Sequence, residues 1–404
     1  GLGVGIDYAL FIVTRYRESR AEGKSIQNAV ITAIDTAGRA VIFAGTIVII
    51  ALLGLFITGI PFVGWMGAAG ALVVFCAVMV AIGLLPAILA WLGPWIDKWT
   101  IKVPRPKHIE DTTGFKLTSR IQKHPGWWLL GSLAIILTLA SPALDARVGT
   151  SDAGNNPESM GTRRTYDLLA EGFGAGSNGP LLIVVNNANG LNQADLDALQ
   201  ANIAATANVV AVSPAVPNDA NNTAIITAIP GSSPQDAATE DLIHDLRDNV
   251  IPTTLSNTET KAYVGGATAS FVDIGEKISS ALPLYILIVA GLSILILMTV
   301  FRSVAIPIKA AVLNLLSFLA AYGVLVAVFQ WGWGASLFGI DRTGPIESFL
   351  PLILFGILFG LSMDYEVFLI SRIRESWQER GDNNWALSHG IGQTGRVILA
   401  AGAI

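Results

Sequence analysis

Two aspartates set inside apolar runs are the residues best placed to do chemistry. The first stands in Gly5-Ile6-Asp7-Tyr8-Ala9-Leu10-Phe11-Ile12-Val13-Thr14-Arg15-Tyr16-Arg17-Glu18-Ser19, the second in Ser362-Met363-Asp364-Tyr365-Glu366-Val367-Phe368-Leu369-Ile370-Ser371-Arg372-Ile373-Arg374-Glu375-Ser376. An ionised Asp at the centre of a spanning helix costs roughly 2.5 to 3.5 kcal/mol, so it persists where it is neutralised, partnered or functional. Asp7 precedes Arg15, and Asp364 precedes Arg372, by eight residues. That is about 12 Å of helix at ~1.5 Å per residue, too deep for so short a side chain to reach water. The chemistry such a carboxyl offers is reversible protonation, with a tyrosine hydroxyl able to donate to it; a pseudo-two-fold relation between the two stretches would set Asp7 against Tyr365 and Asp364 against Tyr8.

The two stretches are copies of one unit. Without a gap the match continues, placing Glu22 on Glu379, Ala29 on Ala386, Gly38-Arg39 on Gly395-Arg396 and Ala44-Gly45 on Ala401-Gly402. One departure stands out: Ala9 is matched by Glu366, an acid in one copy only. Two residues from Asp364, it falls on roughly the opposite helix face and reads as an accessory group reaching the inner interface or another helix. The Arg-x-Arg-Glu groups at Arg15-Arg17-Glu18 and Arg372-Arg374-Glu375 read as interfacial anchors.

The surroundings are those of a polytopic membrane protein. Only 14% of the 404 residues are charged, and several apolar runs exceed twenty residues. The chain opens without methionine inside one apolar run and stops inside another, so a piece of a longer protein is expected. The single Cys76 lies in an apolar span, and His108, His124, His244 and His389 have no ligand spacing, so neither a metal nor a cofactor is expected. Gly1-x-Gly3-x-Gly5 follows no strand and reads as small residues at a helix contact, not as a dinucleotide fingerprint. No Gly-x-x-x-x-Gly-Lys-Ser/Thr occurs, no nucleophile–base constellation appears, and no nucleic-acid partner is expected.

Spans are expected at 1–13, 40–60, 62–91, 127–144, 282–301, 310–330, 349–370 and from about 397 onward. Trp91, Trp95 and Trp99 mark an aqueous boundary, and Pro104-Arg105-Pro106 reads as linker within a basic loop, 92–126. That loop carries Lys98, Lys102, Arg105, Lys107, Lys116, Arg120 and Lys123; loops 14–39, 302–309 and 371–396 are basic too. All four fall on one side of the membrane, which makes it cytoplasmic. Residues 146–280 then lie outside. This segment holds fifteen acidic and six basic residues and reads as a soluble α+β domain. Its strands are expected at 181–186, 209–213, 223–229 and 261–264, and its helices at 158–171, 193–206, 234–250 and 269–279. The βαββαβ order is that of a ferredoxin-like split unit. Three parts are therefore expected: 1–145, 146–280 and 281–404.

This combination of a doubled Asp-Tyr followed by Arg-x-Arg-Glu-Ser, eight spans and one large external α+β segment resembles the MMPL family (mycobacterial membrane protein, large) of the resistance-nodulation-division superfamily. The resemblance implies a polytopic α-helical membrane protein with an RND-type bundle and an inserted extracytoplasmic ferredoxin-like porter domain. It places this chain from the fourth to the eleventh transmembrane helix and assigns the proton relay to Asp7, Tyr8, Asp364 and Tyr365. It further implies a multi-pass protein of the bacterial plasma membrane that uses the proton-motive force to export lipidic or amphipathic molecules. Protons, membrane lipids and such a substrate would be its partners, with homo-oligomers a further candidate. Efflux of soluble drugs and a non-transporting sterol-sensing-like receptor are the rival readings.

Overall fold

The computed structural model describes residues 2–93, 95, 108–340 and 342–403, and all their side chains except those of Leu2, Val300, Phe301, Asp364 and Ala401. Lys98, Trp99, Lys102, Pro104-Arg105-Pro106, Lys107 and Asp341 lie outside the described residues.

In chain order the helices are α1 Leu2–Ala21, α2 Ile26–Thr58, α3 Pro61–Leu92, α4 Thr113–Lys123 and α5 Pro125–Asp145. Then come α6 Gly161–Phe173, α7 Gln193–Ala205, α8 Ala237–Asp245, α9 Ala267–Phe301, α10 Ala305–Gln330, α11 Leu350–Arg380 and α12 Asn383–Gly402. The strands are β1 Val148–Gly149, β2 Leu181–Asn186, β3 Val209–Val212, β4 Val216–Pro217, β5 Thr223–Pro230, β6 Lys261–Gly265 and β7 Ile346–Glu347. Two compact units result, one of residues 1–141, 281–322 and 351–404, the other of 142–280 and 323–350.

Among the described residues, six helices are long and apolar enough to cross a membrane: α2, α3, α5, α9, α10 and α11. The expected spans at 1–13 and from 397 fall in α1 and α12, which are helical but not among the six. Much of the six helices' apolar surface faces outward. Trp127 of α5 is 78% exposed, with Leu129 and Leu130 beside it and no polar face to offset them. Only a hydrocarbon solvent makes such a surface stable.

The helical unit is built on α1. Tyr8, Phe11, Ile12 and Tyr16 are buried against Ala29, Ala33, Ala37, Val41 and Ala44 of α2 and Val78, Ala81 and Leu89 of α3. This alanine stripe explains why α2 starts fourteen residues before the span expected at 40. Ser25 caps its first turn, accepting from Asn28 N at 3.2 Å. The stripe then fixes a segment whose opposite face is polar. Gly59, at φ +65°, ends the helix, and Pro61 opens α3. The basic loop is also partly helical. Thr112 caps α4, whose Ser119 and Gln122 bond to Ser388 and the Asn384 carbonyl of α12.

Glycine sets the closest helix contacts, though not at Gly3 and Gly5, where an added Cβ would meet nothing within 4 Å. Tight positions occur in both copies: a Cβ at Gly45 of α2 would stand 2.3 Å from Val78 Cγ2, and one at Gly67 of α3 would stand 2.2 Å from the Leu52 carbonyl oxygen. On α11 a Cβ at Gly360 would stand 2.3 Å from Val48 Cγ2, and one at Gly356 would stand 2.6 Å from the Tyr285 hydroxyl. That hydroxyl donates to the Ala51 carbonyl of α2 at 2.9 Å, and its ring lies edge-on to Phe355.

In the α/β unit the strand order is β3-β5-β2-β6, every neighbour antiparallel, with β4 beside β5. Leu181, Ile183 and Val185 alternate inward from β2 onto Leu196, Leu199 and Ile203 of α7 and Leu242, Ile243 and Leu246 of the α8 region. The helix expected from 234 begins at Ala237, because Asp236 accepts from Ser233 N at 2.8 Å and closes a turn ahead of it. The helices expected at 269–279 and 282–301 are one, α9, which runs through Pro283. Residues 323–350 join this unit through β7, which pairs in parallel with β1, Val148 opposite Ile346.

The Gly360 contact gives a direct test. Gly360→Ala should lower the thermal midpoint of the detergent-solubilised protein by several degrees, since overpacking costs roughly 1–3 kcal/mol. Adding Val48→Ala should restore most of it, and Gly83→Ala, where a Cβ meets nothing, should not lower it.

Candidate functional site

Asp7 sits one residue before a fully buried position of α1 and is itself only 6% exposed. Its neighbours in the helix point different ways. Tyr8 turns toward α2 and α3, its hydroxyl 3.5 Å from where a Gly45 Cβ would stand. Asp7 instead meets α11. The Tyr365 hydroxyl donates to Asp7 Oδ2 at 2.7 Å, a bond between residues 358 positions apart. Asp7 Oδ1 is buried with no hydrogen-bond partner among the described residues. Phe11 closes the site on the side of Arg15, its ring 5.9 Å from that of Tyr365 and 4.9 Å from that of Phe368.

Of the residues singled out from sequence, Asp7 and Tyr365 are thus brought together, Tyr8 is buried beside them, and Asp364 belongs to α11 with its side chain outside the described set. Glu366 is half-buried, and Lys309 of α10 is the cation that acts on it. One turn earlier on the same helix Ser362 donates to Asn314 Oδ1, and Asn314 is buried. Polar groups therefore line α10 against α11, which sequence periodicity did not reveal.

A larger addition lies at the charged ends of α1 and α11. Arg372 bonds through Nη2 to Glu18 Oε2 at 2.9 Å and through Nη1 to Glu375 at 3.0 Å, while Arg15 reaches the same Glu18 oxygen at 3.2 Å. The two Arg-x-Arg-Glu groups are joined to each other across the helices, beyond any anchoring of each at an interface. Glu22, Glu379 and Gln393 complete a cleft of about 430 Å³ there. A hydrogen bond from Lys24 holds the Glu22 carboxyl below the usual carboxylate range. The clue in the sequence was the repetition of Arg and Glu at equal spacing in both copies, which shows two like surfaces but not that one pairs with the other.

A buried carboxyl with one oxygen bonded to a phenol and the other unmatched can bind and release a proton. A model of the MMPL family matches residues 1–129 and 154–404. The chain belongs to the MMPL family. Its MMPL relatives include membrane protein YdfJ of Bacillus subtilis, 39% identical over 100% of this chain and 55% of that protein. They also include the MmpL11 proteins, called a mycolic acid-containing lipids exporter in Mycolicibacterium smegmatis and a heme uptake protein in Mycobacterium tuberculosis. These are 31% and 32% identical over 100% of this chain and 43% and 42% of theirs. Among solved structures, SecDF in its super-membrane-facing form has the same fold, at TM-score 0.53 and 15% identity over 100% of this chain and 47% of that one. The chain spans about half the length of the curated relatives it matches. It is, with the MMPL family, a multi-pass protein of the plasma membrane.

The cross-helix pair predicts charge rescue. Glu18→Arg should lower the thermal midpoint in detergent, and adding Arg372→Glu should recover part of it, worth up to ~1 kcal/mol for a partly exposed pair. Swapping only Glu375, whose partner lies on its own helix, should cost less.

Proposed function

We propose that this protein is a secondary transporter driven by the proton-motive force, which moves lipidic or amphipathic molecules outward across the plasma membrane. In this reading Asp7, Tyr8, Asp364 and Tyr365 form the proton relay, and Glu366 is an accessory group. The observation that carries it is the Tyr365–Asp7 hydrogen bond, which ties the carboxyl of one repeat to the phenol of the other within buried helix. Coupling-ion sites lie at such repeat interfaces. When Asp7 takes a proton, a phenol that donates to a carboxylate must share its hydrogen bond with an acid, and the contact between α1 and α11 weakens or re-forms.

The α/β unit serves in this reading as an extracytoplasmic ferredoxin-like porter domain. Its order β6-β2-β5-β3, with helices between the first and second and the third and fourth strands, supports that assignment. The substrate class is supported by energetics and by relatives. One proton crossing ~150 mV supplies about 3.5 kcal/mol. Exposing an acyl chain to water costs roughly 0.8 kcal/mol per methylene, so a lipid must stay in an apolar path. The relatives' names, lipids exporter and heme uptake protein, point in opposite directions across the membrane, so the assay must read both.

Full-length protein in proteoliposomes with an imposed pH gradient provides it, with a fluorescent acyl lipid as probe and an internal pH dye. Asp7→Asn and Asp364→Asn should each abolish gradient-driven movement of probe and proton while insertion stays normal, and Tyr365→Phe should reduce both by a smaller factor. Sustained coupled transport by either Asn variant would contradict the proposal.

A further inference from the structure

The α/β unit holds a polar cavity of about 160 Å³, an order of magnitude more than one water needs. Two arginines line it. Arg147 donates from Nη2 to the Gln235 carbonyl at 3.1 Å. Arg342 lies over the Tyr166 ring, 5.8 Å from its centroid. Neither forms an ion pair with a carboxylate among the described residues, and Arg342 makes no hydrogen bond there. Guanidinium stays charged at every relevant pH and presents forked donors, so two of them with donors to spare in one cavity form a receptor for an oxyanion, phosphate above all.

The acids in the same cavity narrow the choice. Asp236 has its Oδ2 committed to Ser233 N. Asp152 accepts from Gly154 N at 2.8 Å through Oδ1, whereas its Oδ2 is buried and makes no hydrogen bond among the described residues. That oxygen lies beside the Tyr166 phenol, and as a carboxylate oxygen with two lone pairs it has room for a further donor. Tyr166 is buried beside it; burial first, and the Asp152 carboxylate second, push its phenol up, so it stays a neutral donor. A bare phosphate would satisfy the arginines but leave Asp152 facing an anion. A phosphate ester with a neighbouring hydroxyl satisfies both.

We infer that this cavity binds the phosphate ester of a polyol, with Arg147 and Arg342 on the phosphate oxygens and Asp152 on an adjacent hydroxyl. A lipid headgroup and a soluble polyol phosphate share this chemistry. Binding needs no gradient and no proton relay, so it stands or falls apart from the transport reading.

Calorimetry on the full-length protein in detergent tests it, with glycerol 3-phosphate, inorganic phosphate, glycerol and a short-chain phosphatidylglycerol below its micelle concentration as probes. Glycerol 3-phosphate should bind saturably and glycerol should not. Arg147→Gln and Arg342→Gln should each weaken binding by about tenfold, as loss of a charge-assisted contact does. Asp152→Asn should weaken glycerol 3-phosphate more than inorganic phosphate, and Arg164→Gln, exposed on α6 outside the cavity, should change nothing. Tighter binding of the short-chain lipid than of glycerol 3-phosphate assigns the source to a headgroup; the reverse assigns it to a soluble ester. Asp7→Asn should bind as the unaltered protein does. If neither ester binds saturably, or if binding ignores both arginine substitutions in variants whose thermal midpoint is unchanged, Arg342 only clamps its loop onto Tyr166 and the proposal is wrong.

Discussion

A carboxyl buried between helices is the constraint on which the helical unit depends. Asp7 cannot stay ionised there without a partner, and the partner it has is a phenol from the other copy of the same motif. A 2.7 Å contact between two long helices tolerates little drift, so much of the surrounding packing can be understood as holding α1 and α11 at that spacing. Phe11 wedges against Tyr365 and Phe368 one turn away, and Glu18 with Arg372 closes the charged end. On the opposite side of α11, Gly356 and Gly360 let α2 and Tyr285 come close.

That arrangement is stiff in some places and adjustable in others. The glycine contacts and the bond from Tyr285 to Ala51 involve neutral groups that do not change with pH. The Asp7–Tyr365 bond is the one a proton on Asp7 would alter directly. A transporter built this way would pivot on its uncharged contacts and switch at its polar ones, which is how packed elements acquire two discrete arrangements.

What could be read from the amino-acid order follows from which forces leave a pattern. The strand Leu181–Asn186 lies where it was expected because alternate burial writes a period of two into the sequence. That Asp7 meets Tyr365 was legible because duplication implies a pseudo-two-fold relation. The early start of α2 was not, since alanines among polar residues favour a helix but carry too little apolar weight to mark a buried face until α1 is set against it. Gly3 and Gly5 looked like packing glycines, yet the close contacts fall on others, Gly45, Gly67 and Gly360 among them; small residues permit approach but do not say from which helix. The bond between Glu18 and Arg372 and the pairing of Val148 with Ile346 are long-range choices, invisible to any local pattern.

The central claim is that Asp7 changes protonation state as the protein works, and difference infrared spectroscopy of the reconstituted full-length protein tests it most directly. Titrating across the range that supports transport should reveal a protonated-carboxyl stretch that appears as pH falls, shifts in heavy water and is lost in Asp7→Asn, with a matching change in the tyrosine band that is lost in Tyr365→Phe. A carboxyl signal that Asp7→Asn leaves untouched, or an Asp7 band that stays constant over that whole range, would contradict the account.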